Sequence, residues 1–418
     1  MNYERTDLDN GVSIVTEHMA DVRSITIGLW FSVGSRDELP AEAGMSHFME
    51  HMMFKGTPDH TAEQLSTEFE GMGAELNAFT SKEYTCYYAR FVDEKLPRAV
   101  ELLGDMVCHS LFAQEEIDRE REVVVEEIAR SQDTPDDYVY DVFGDALMPT
   151  HPLGRPIIGT RENVLGFMHD DCISYRDRHY NTGNLTVAAA GDVDHAELVE
   201  LCERYLADLP RGERTPRPQL ELEEGRDHAF LKRETEQAHI IYGVPSLPAN
   251  HPDRFALALA DLALGGGMSS RLFQEVREKR GLVYAIFSST TSYIGAGQSG
   301  VYAGTRPENI AEVVSLIASG VEQVGREGIT EQELSRVRDY AKGQLVISSE
   351  ETRNNMLRLG KNACMRNELL TLDETLERYD AVTLEDVCRV AGDVYLNKPT
   401  LAIISPLEPS ALEQLLYG

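Results

Sequence analysis

Basic residues are scarce in this 418-residue sequence: 39 Lys and Arg stand against 71 Asp and Glu, and 39 − 71 gives a formal charge of −32. An acid excess of that size opposes contact with phosphate backbones and anionic lipid, so neither nucleic acid nor a membrane is an expected partner. Long apolar runs are also missing. None approaches the ~18 residues that cross a bilayer, so a soluble protein is expected, and its scattered cysteines read as reduced thiols of a cytoplasmic one. Met1 to Val15 carries four charged residues and no apolar stretch of signal-peptide length, so secretion by that route is not expected. The six cysteines, Cys86, Cys108, Cys172, Cys202, Cys364 and Cys388, are scattered without a C-x-x-C pair, which argues against a disulfide framework or a thiolate zinc knuckle. What is present is an ordinary globular composition, 42% hydrophobic and 26% charged. At ~100 to 200 residues per domain it is long enough for two or three domains.

The order of periodic segments predicts an α+β fold. Ser24 to Val33 (SITIGLWFSV) and Tyr84 to Phe91 have the β-branched and aromatic content of strands, with Leu76 to Phe79 a shorter one, and Glu42 to Phe54 reads as a helix. Helical stretches follow at Leu96 to Leu111, Gln114 to Ser131 and Asp136 to Met148. After Leu209 to Asp227, which is rich in Pro, Gly and charge, the same order of strands and long helices returns. Both halves close alike, with Leu185 to Leu206 matching Leu401 to Tyr417 as strand, turn and helix. The expectation is two similar halves, 1–208 and 229–418, joined by a linker at 209–228, each a mixed or antiparallel sheet packed with long helices.

The strongest chemical signal is His47-Phe48-Met49-Glu50-His51. Imidazoles at i and i+4 share one helix face, which suits the first two ligands of a tetrahedral zinc ion, and Glu50 lies where it can serve as general base. With 12 His and 71 acidic residues the pattern arises by chance about 0.06 times in such a chain, and a surface helix with two solvated histidines is the plain alternative. In Gln114 to Ser131, a helical wheel puts Glu120 and Glu127 between Val123 on one side and Ile117, Val124 and Ile128 on the other. A carboxylate in an apolar arc needs a partner, and either a metal or a buried Arg or Lys would serve.

His47, Glu50 and His51 resemble the inverted zinc motif H-x-x-E-H of the pitrilysin/insulinase metallopeptidases, a family that includes the mitochondrial processing peptidase. The resemblance implies a third ligand at Glu127, 127 − 51 = 76 residues after His51, and a supporting carboxylate at Glu120 that orients a ligand imidazole. Gly73 to Ser81 (GAELNAFTS) is similar to the family's substrate-binding edge strand, where Asn77 and Ala78 would supply main-chain contacts. Arg277 to Tyr284 (REKRGLVY) looks like the family's Arg and Tyr pair, which holds the substrate carbonyl and stabilises the oxyanion.

What the resemblance implies is a zinc endopeptidase acting on extended peptides or presequence-like segments, with one Zn²⁺ per chain. Two domains amount to half of the family's clamshell. A homodimer is therefore expected, with Arg277 and Tyr284 acting in trans, and the acid excess suggests basic peptides. The alternative is a catalytically silent scaffold or binding subunit of a processing-peptidase-like heterodimer. Gly265 to Ser270 (GGGMSS) lacks the G-K-[ST] ending of a phosphate loop and reads as a helix stop, and His60, His109, His151, His179 and His239 have no ligand-spaced partner.

Overall fold

The computed structural model of the chain describes residues 3–217, 224–366 and 368–417; residues 218–223 of the expected linker lie outside them. The fold is mixed α+β, with two sheets and many helices. Two compact units share it. One gathers Met1–Ala129, Pro156–Arg217 and Leu345–Asp373, and the other Arg130–Arg155, Pro218–Gln344 and Glu374–Gly418.

The first unit holds a six-stranded sheet made of β1 (Tyr3–Asp7), β2 (Ser13–His18), β3 (Ser24–Phe31), β4 (Glu75–Thr80), β5 (Thr85–Val92) and β6 (Leu185–Gly191). Its order is β1-β2-β6-β3-β5-β4, with only β2 and β6 parallel. Strand β3 is central, and its alternation divides the unit into two layers: Ile25, Ile27, Leu29 and Phe31 enter one core while Trp30 enters another. The larger core is filled by helices α1 (Met45–Met52), Leu96–His109, α2 (Gln114–Gln132) and His195–Tyr205. Strand β4 forms one edge of the sheet.

The second unit repeats the plan with β7 (His228–Lys232), β8 (Ala238–Ser246), β9 (Val283–Tyr293), β10 (Ala296–Thr305) and β11 (Thr400–Ser405) in the order β7-β11-β8-β10-β9. Only β7 and β11 are parallel, and β9 is the edge. Its main core takes side chains from Arg254–Leu264, Ile310–Glu327 and Leu384–Tyr395.

Each sheet has its other face covered by a helix from the opposite half of the chain. Helix α3 (Pro135–Leu147) sets Val139, Phe143 and Leu147 against Ile241, Ala402 and Ile404 in the second unit. Helix α4 (Thr352–Met365) sets Met356, Leu359 and Ala363 against Trp30, Tyr88 and Ala188 in the first. Both approaches are close: a Cβ on Gly28 would lie 2.6 Å from Met356 Sδ, and one on Gly243 2.4 Å from Phe143 Cζ, so either helix side chain would have to shift. The boundaries 1–208 and 229–418 do not contain this exchange, because a linker marks one crossing of the chain and composition carries no mark of the others. No helix among the described residues is long and apolar enough to cross a membrane.

Candidate metal centre

Helix α1 is short and two-faced. Met45, Phe48, Met49 and Met52, at i, i+3, i+4 and i+7, are buried in the core, which leaves His47, Glu50 and His51 on the opposite, partly open face. The helix begins at Met45 rather than at Glu42 as the periodicity predicts, because Pro40–Glu42 is a separate 3₁₀ turn. The Glu38 carboxylate then accepts the backbone N–H groups of Gly44 and Ser46 at 2.9 and 2.7 Å, as an N-terminal cap does. Burial is the main influence on that carboxyl, pushing its pKa up to about 7.

Helix α2 supplies the acids. Ile117, Val124 and Ile128 are buried, and Glu120 among them is only 4% exposed. Val123, on the other flank, is 45% exposed, so the apolar arc read from the sequence is core on one side and an opening on the other. Glu127 lies at that opening, partly exposed.

The structure brings the predicted ligands together. His47 Nε2 and His51 Nε2 lie 3.8 and 3.5 Å from Glu127 Oε2, and one donor atom from each of the three residues falls within 4.8 Å of the others. A tetrahedral zinc with bonds of ~2.0 to 2.2 Å spaces its ligands ~3.2 to 3.6 Å apart, close to the two His–Glu127 distances, and two imidazoles and a carboxylate are the donor types the ion takes. His51 Nδ1 meets Glu120 Oε1 at 2.8 Å, which fixes the ring with Nε2 toward the cluster. The other Glu120 oxygen meets Lys55 Nζ at 2.5 Å. Of the partners left open by the wheel, the buried acid has the lysine, and it also holds an imidazole.

Electrostatics follow from this packing. Burial, with the charge of His51 beside it, lowers the His47 pKa to about 4, so its imidazole is neutral at physiological pH. Burial also acts to lower His51, but the Glu120 bond and the charge of Glu127 outweigh it and raise the pKa above its ordinary value. For Glu120, burial acts upward and the bonds from His51 and Lys55 overcome it, leaving the carboxyl below its ordinary value. Burial raises the Glu50 carboxyl, against the opposing bond that Thr80 Oγ1 donates to Glu50 Oε2 at 2.5 Å. Lys55 and Thr80 were not singled out in the sequence, although Lys55 sits four residues after His51 and Thr80 two after Ala78.

Asn77 and Ala78 lie on edge strand β4, and Asn77 Oδ1 accepts the Ala78 N–H at 2.8 Å. Arg277 and Tyr284 belong to the second unit, whereas the metal-centre residues belong to the first. Arg277 is exposed on the π-helical segment Phe273–Lys279 with its guanidinium 4.8 Å from the Phe273 ring centroid. Tyr284 is 79% exposed on edge strand β9. It opens onto a cavity of about 700 Å³ whose lining includes Asp136, Asp137, Glu236, Tyr140 and Tyr302. Tyr140 and Tyr302 stack at 6.1 Å, and the Tyr302 hydroxyl pairs with His239 Nδ1 at 2.9 Å. His60 and His109 also have partners, both bonded to Asp105.

Comparison with known proteins adds five findings. A sequence model described as Insulinase (Peptidase family M16) matches residues 13–161, and one described as Peptidase M16 inactive domain matches residues 167–340. An uncharacterized zinc protease of Streptomyces coelicolor is 41% identical across 98% of this chain and 91% of its own length. The uncharacterized zinc protease YmxG of Bacillus subtilis is 38% identical across 96% of this chain and 98% of its own. In fold, the chain is similar to a protease from Helicobacter pylori, with TM-score 0.89, 23% identity and coverage of 97% of this chain and 99% of that one.

Proposed function

The chain belongs to the insulinase family of peptidases, family M16, and from that premise we propose that it is a zinc-dependent endopeptidase hydrolysing extended peptides or presequence-like segments. The observation that carries the proposal is the convergence of His47 Nε2, His51 Nε2 and Glu127 Oε2 on one point beside Glu50. When bound there, zinc supplies Lewis acidity toward water and the scissile carbonyl. The chain's own residues do the rest. Glu50 takes the proton of the attacking water on a carboxylate oxygen and returns it to the leaving amine. Glu120 keeps the His51 ring in place.

Strand β4 receives the substrate as an added strand, with Asn77 and Ala78 offering main-chain contacts. Two chains close a chamber, and Arg277 and Tyr284 of one hold the carbonyl oxygen at the metal centre of the other. The carboxylates of Asp136, Asp137 and Glu236 around the cavity at Tyr284 support a preference for basic peptides.

A silent binding subunit has one observation in its favour, the inactive-domain description of the model that matches 167–340. That match spans the end of the first half and most of the second but lies outside residues 47–127, where the candidate metal centre sits, so it does not bear on those residues. The two readings separate on a library of quenched peptides of ~10 to 30 residues, with zinc content assayed on the same sample. Cleavage that is abolished by chelation and by Glu50→Gln supports the peptidase. Stoichiometric zinc without cleavage of any peptide supports the silent subunit.

A further inference from the structure

Thr80 is the last residue of edge strand β4, and its hydroxyl reaches across to the helix that carries the zinc motif. Oγ1 lies 2.5 Å from Glu50 Oε2 and 3.5 Å from the Ser46 carbonyl. A threonine hydroxyl has one proton to donate, so the shorter contact takes it and Glu50 is the acceptor. That leaves the other Glu50 oxygen, Oε1, to carry a proton.

The hydroxyl is firmly placed. The turn that follows β4 is closed by Ser81 N–H donating to the Tyr84 carbonyl at 2.8 Å. Ser35 N–H and Arg36 N–H donate to the carbonyls of Ser81 and Lys82 at 3.2 and 2.8 Å, and the buried Arg36 and Glu83 side chains pair beneath them. Thr80 therefore moves only if this end of the strand moves.

We infer that Thr80 is a positioning residue for the reaction: it aims the Glu50 carboxylate, and because it lies two residues beyond Ala78 it ties the strand that receives the peptide to the group that moves the proton. This rests on the reading of Glu50 as general base. An added strand that shifts β4 along its length shifts the base with it, so peptide register and base alignment are set together. A side chain of the same shape without the hydroxyl would fill the same space and leave Glu50 free to rotate.

The test uses the full chain with Thr80→Val, Thr80→Ser, Glu50→Gln and the double variant Glu50→Gln/Thr80→Val, measuring kcat, KM and zinc content on one quenched peptide. Thr80→Val is expected to lower kcat about 10- to 100-fold, the scale of one hydrogen bond to a charged group, with KM and zinc content unchanged. Thr80→Ser should restore kcat to within a few-fold of the parent. Adding Thr80→Val to Glu50→Gln should change nothing further, because the hydroxyl acts only through that carboxylate.

A kcat for Thr80→Val within twofold of the parent overturns the inference. So does a raised KM at unchanged kcat, an equal loss for serine and valine, or a further loss in the double variant. If Thr80→Val does not fold, Thr80→Ala takes its place, alone and combined with Glu50→Gln, on the same criteria. Glu50→Gln that keeps most of its activity sinks the general-base reading itself, a separate failure visible in the same data.

Discussion

The two sheets are the same design used twice. Strands β2-β6-β3-β5-β4 and β7-β11-β8-β10-β9 share one order, one parallel pair in the same place and one glycine under a crossing helix, Gly28 in the first and Gly243 in the second. They differ in the helix that follows the third strand of each set. After β3 comes α1, whose open face carries His47, Glu50 and His51; after β8 comes Arg254–Leu264 (RFALALADLAL), almost wholly apolar. The later helices differ in the same way. Glu120 and Glu127 project from α2, whereas its counterpart Glu331–Ser348 buries Leu334, Val337 and Ala341 and no carboxylate. Scaffold and chemistry are thus separable: packing positions recur in both units, and the candidate metal-ligand set occupies one unit's helix faces without altering the sheet.

The sharpest way to break this comparison is to remove the chemistry from each unit in turn. Glu127→Gln should lose zinc and with it most of kcat/KM, while Tyr284→Phe should keep stoichiometric zinc and lose about 10²- to 10³-fold. Zinc content and peptide cleavage on the two proteins check this, and a Tyr284→Phe protein without metal would contradict the division of labour. A mixture of Glu50→Gln and Tyr284→Phe chains, each poor alone, should regain part of its activity after subunit exchange if the two groups act in trans.

The shared scaffold is tested by packing. Phe143→Ala and Met356→Ala remove the side chains that press on Gly243 and Gly28, and each should cost about 2 to 5 kcal/mol by denaturant unfolding. A large loss for one and none for the other would mean that the crossing helices are not equivalent.

A smaller effect distinguishes the apolar helix. The Asp261 carboxyl lies in the second unit with Oδ1 buried, and burial pushes its pKa up to about 7, despite a hydrogen bond from Ser288. A folded-state pKa raised above the ordinary 3.8 favours the native state fully below pH ~4, and that advantage is lost as pH rises to about 7. Thermal stability should therefore fall across that window, and Asp261→Asn should flatten the slope. An unchanged slope in the variant would assign the pH dependence elsewhere.

Much of this was legible in the sequence where a local pattern and a tertiary demand coincide. The H-x-x-E-H motif is such a place, since the i, i+4 spacing of the histidines and the Met45, Phe48, Met49, Met52 stripe are both properties of one helix. The burial of Glu120 was legible for the same reason. Strand β10 (AGQSGVYAGT) was not, because its three glycines argue against a strand and only pairing with β8 and β9 on both sides makes it one. Helix α4 (TRNNMLRLGKNACM) reads as polar, yet Asn355 is buried with its amide donating to the Ser349 carbonyl. Lys55 and Thr80 escaped because their roles depend on partners 65 and 30 residues away in sequence, 120 − 55 and 80 − 50.

The exchange of α3 and α4 has a consequence for how the chain can be divided. A cut within 209–228, or a gene split there, would leave each fragment holding a helix that completes the other's sheet and lacking the one that completes its own. Each fragment alone would bare an apolar sheet face, Trp30 and Tyr88 on one and Ile241 and Ile404 on the other. Separately made halves should therefore be obligate companions, soluble together and prone to aggregate apart. The chain holds two copies of one sheet plan but not two independent proteins, since each half supplies a helix layer to the other's sheet.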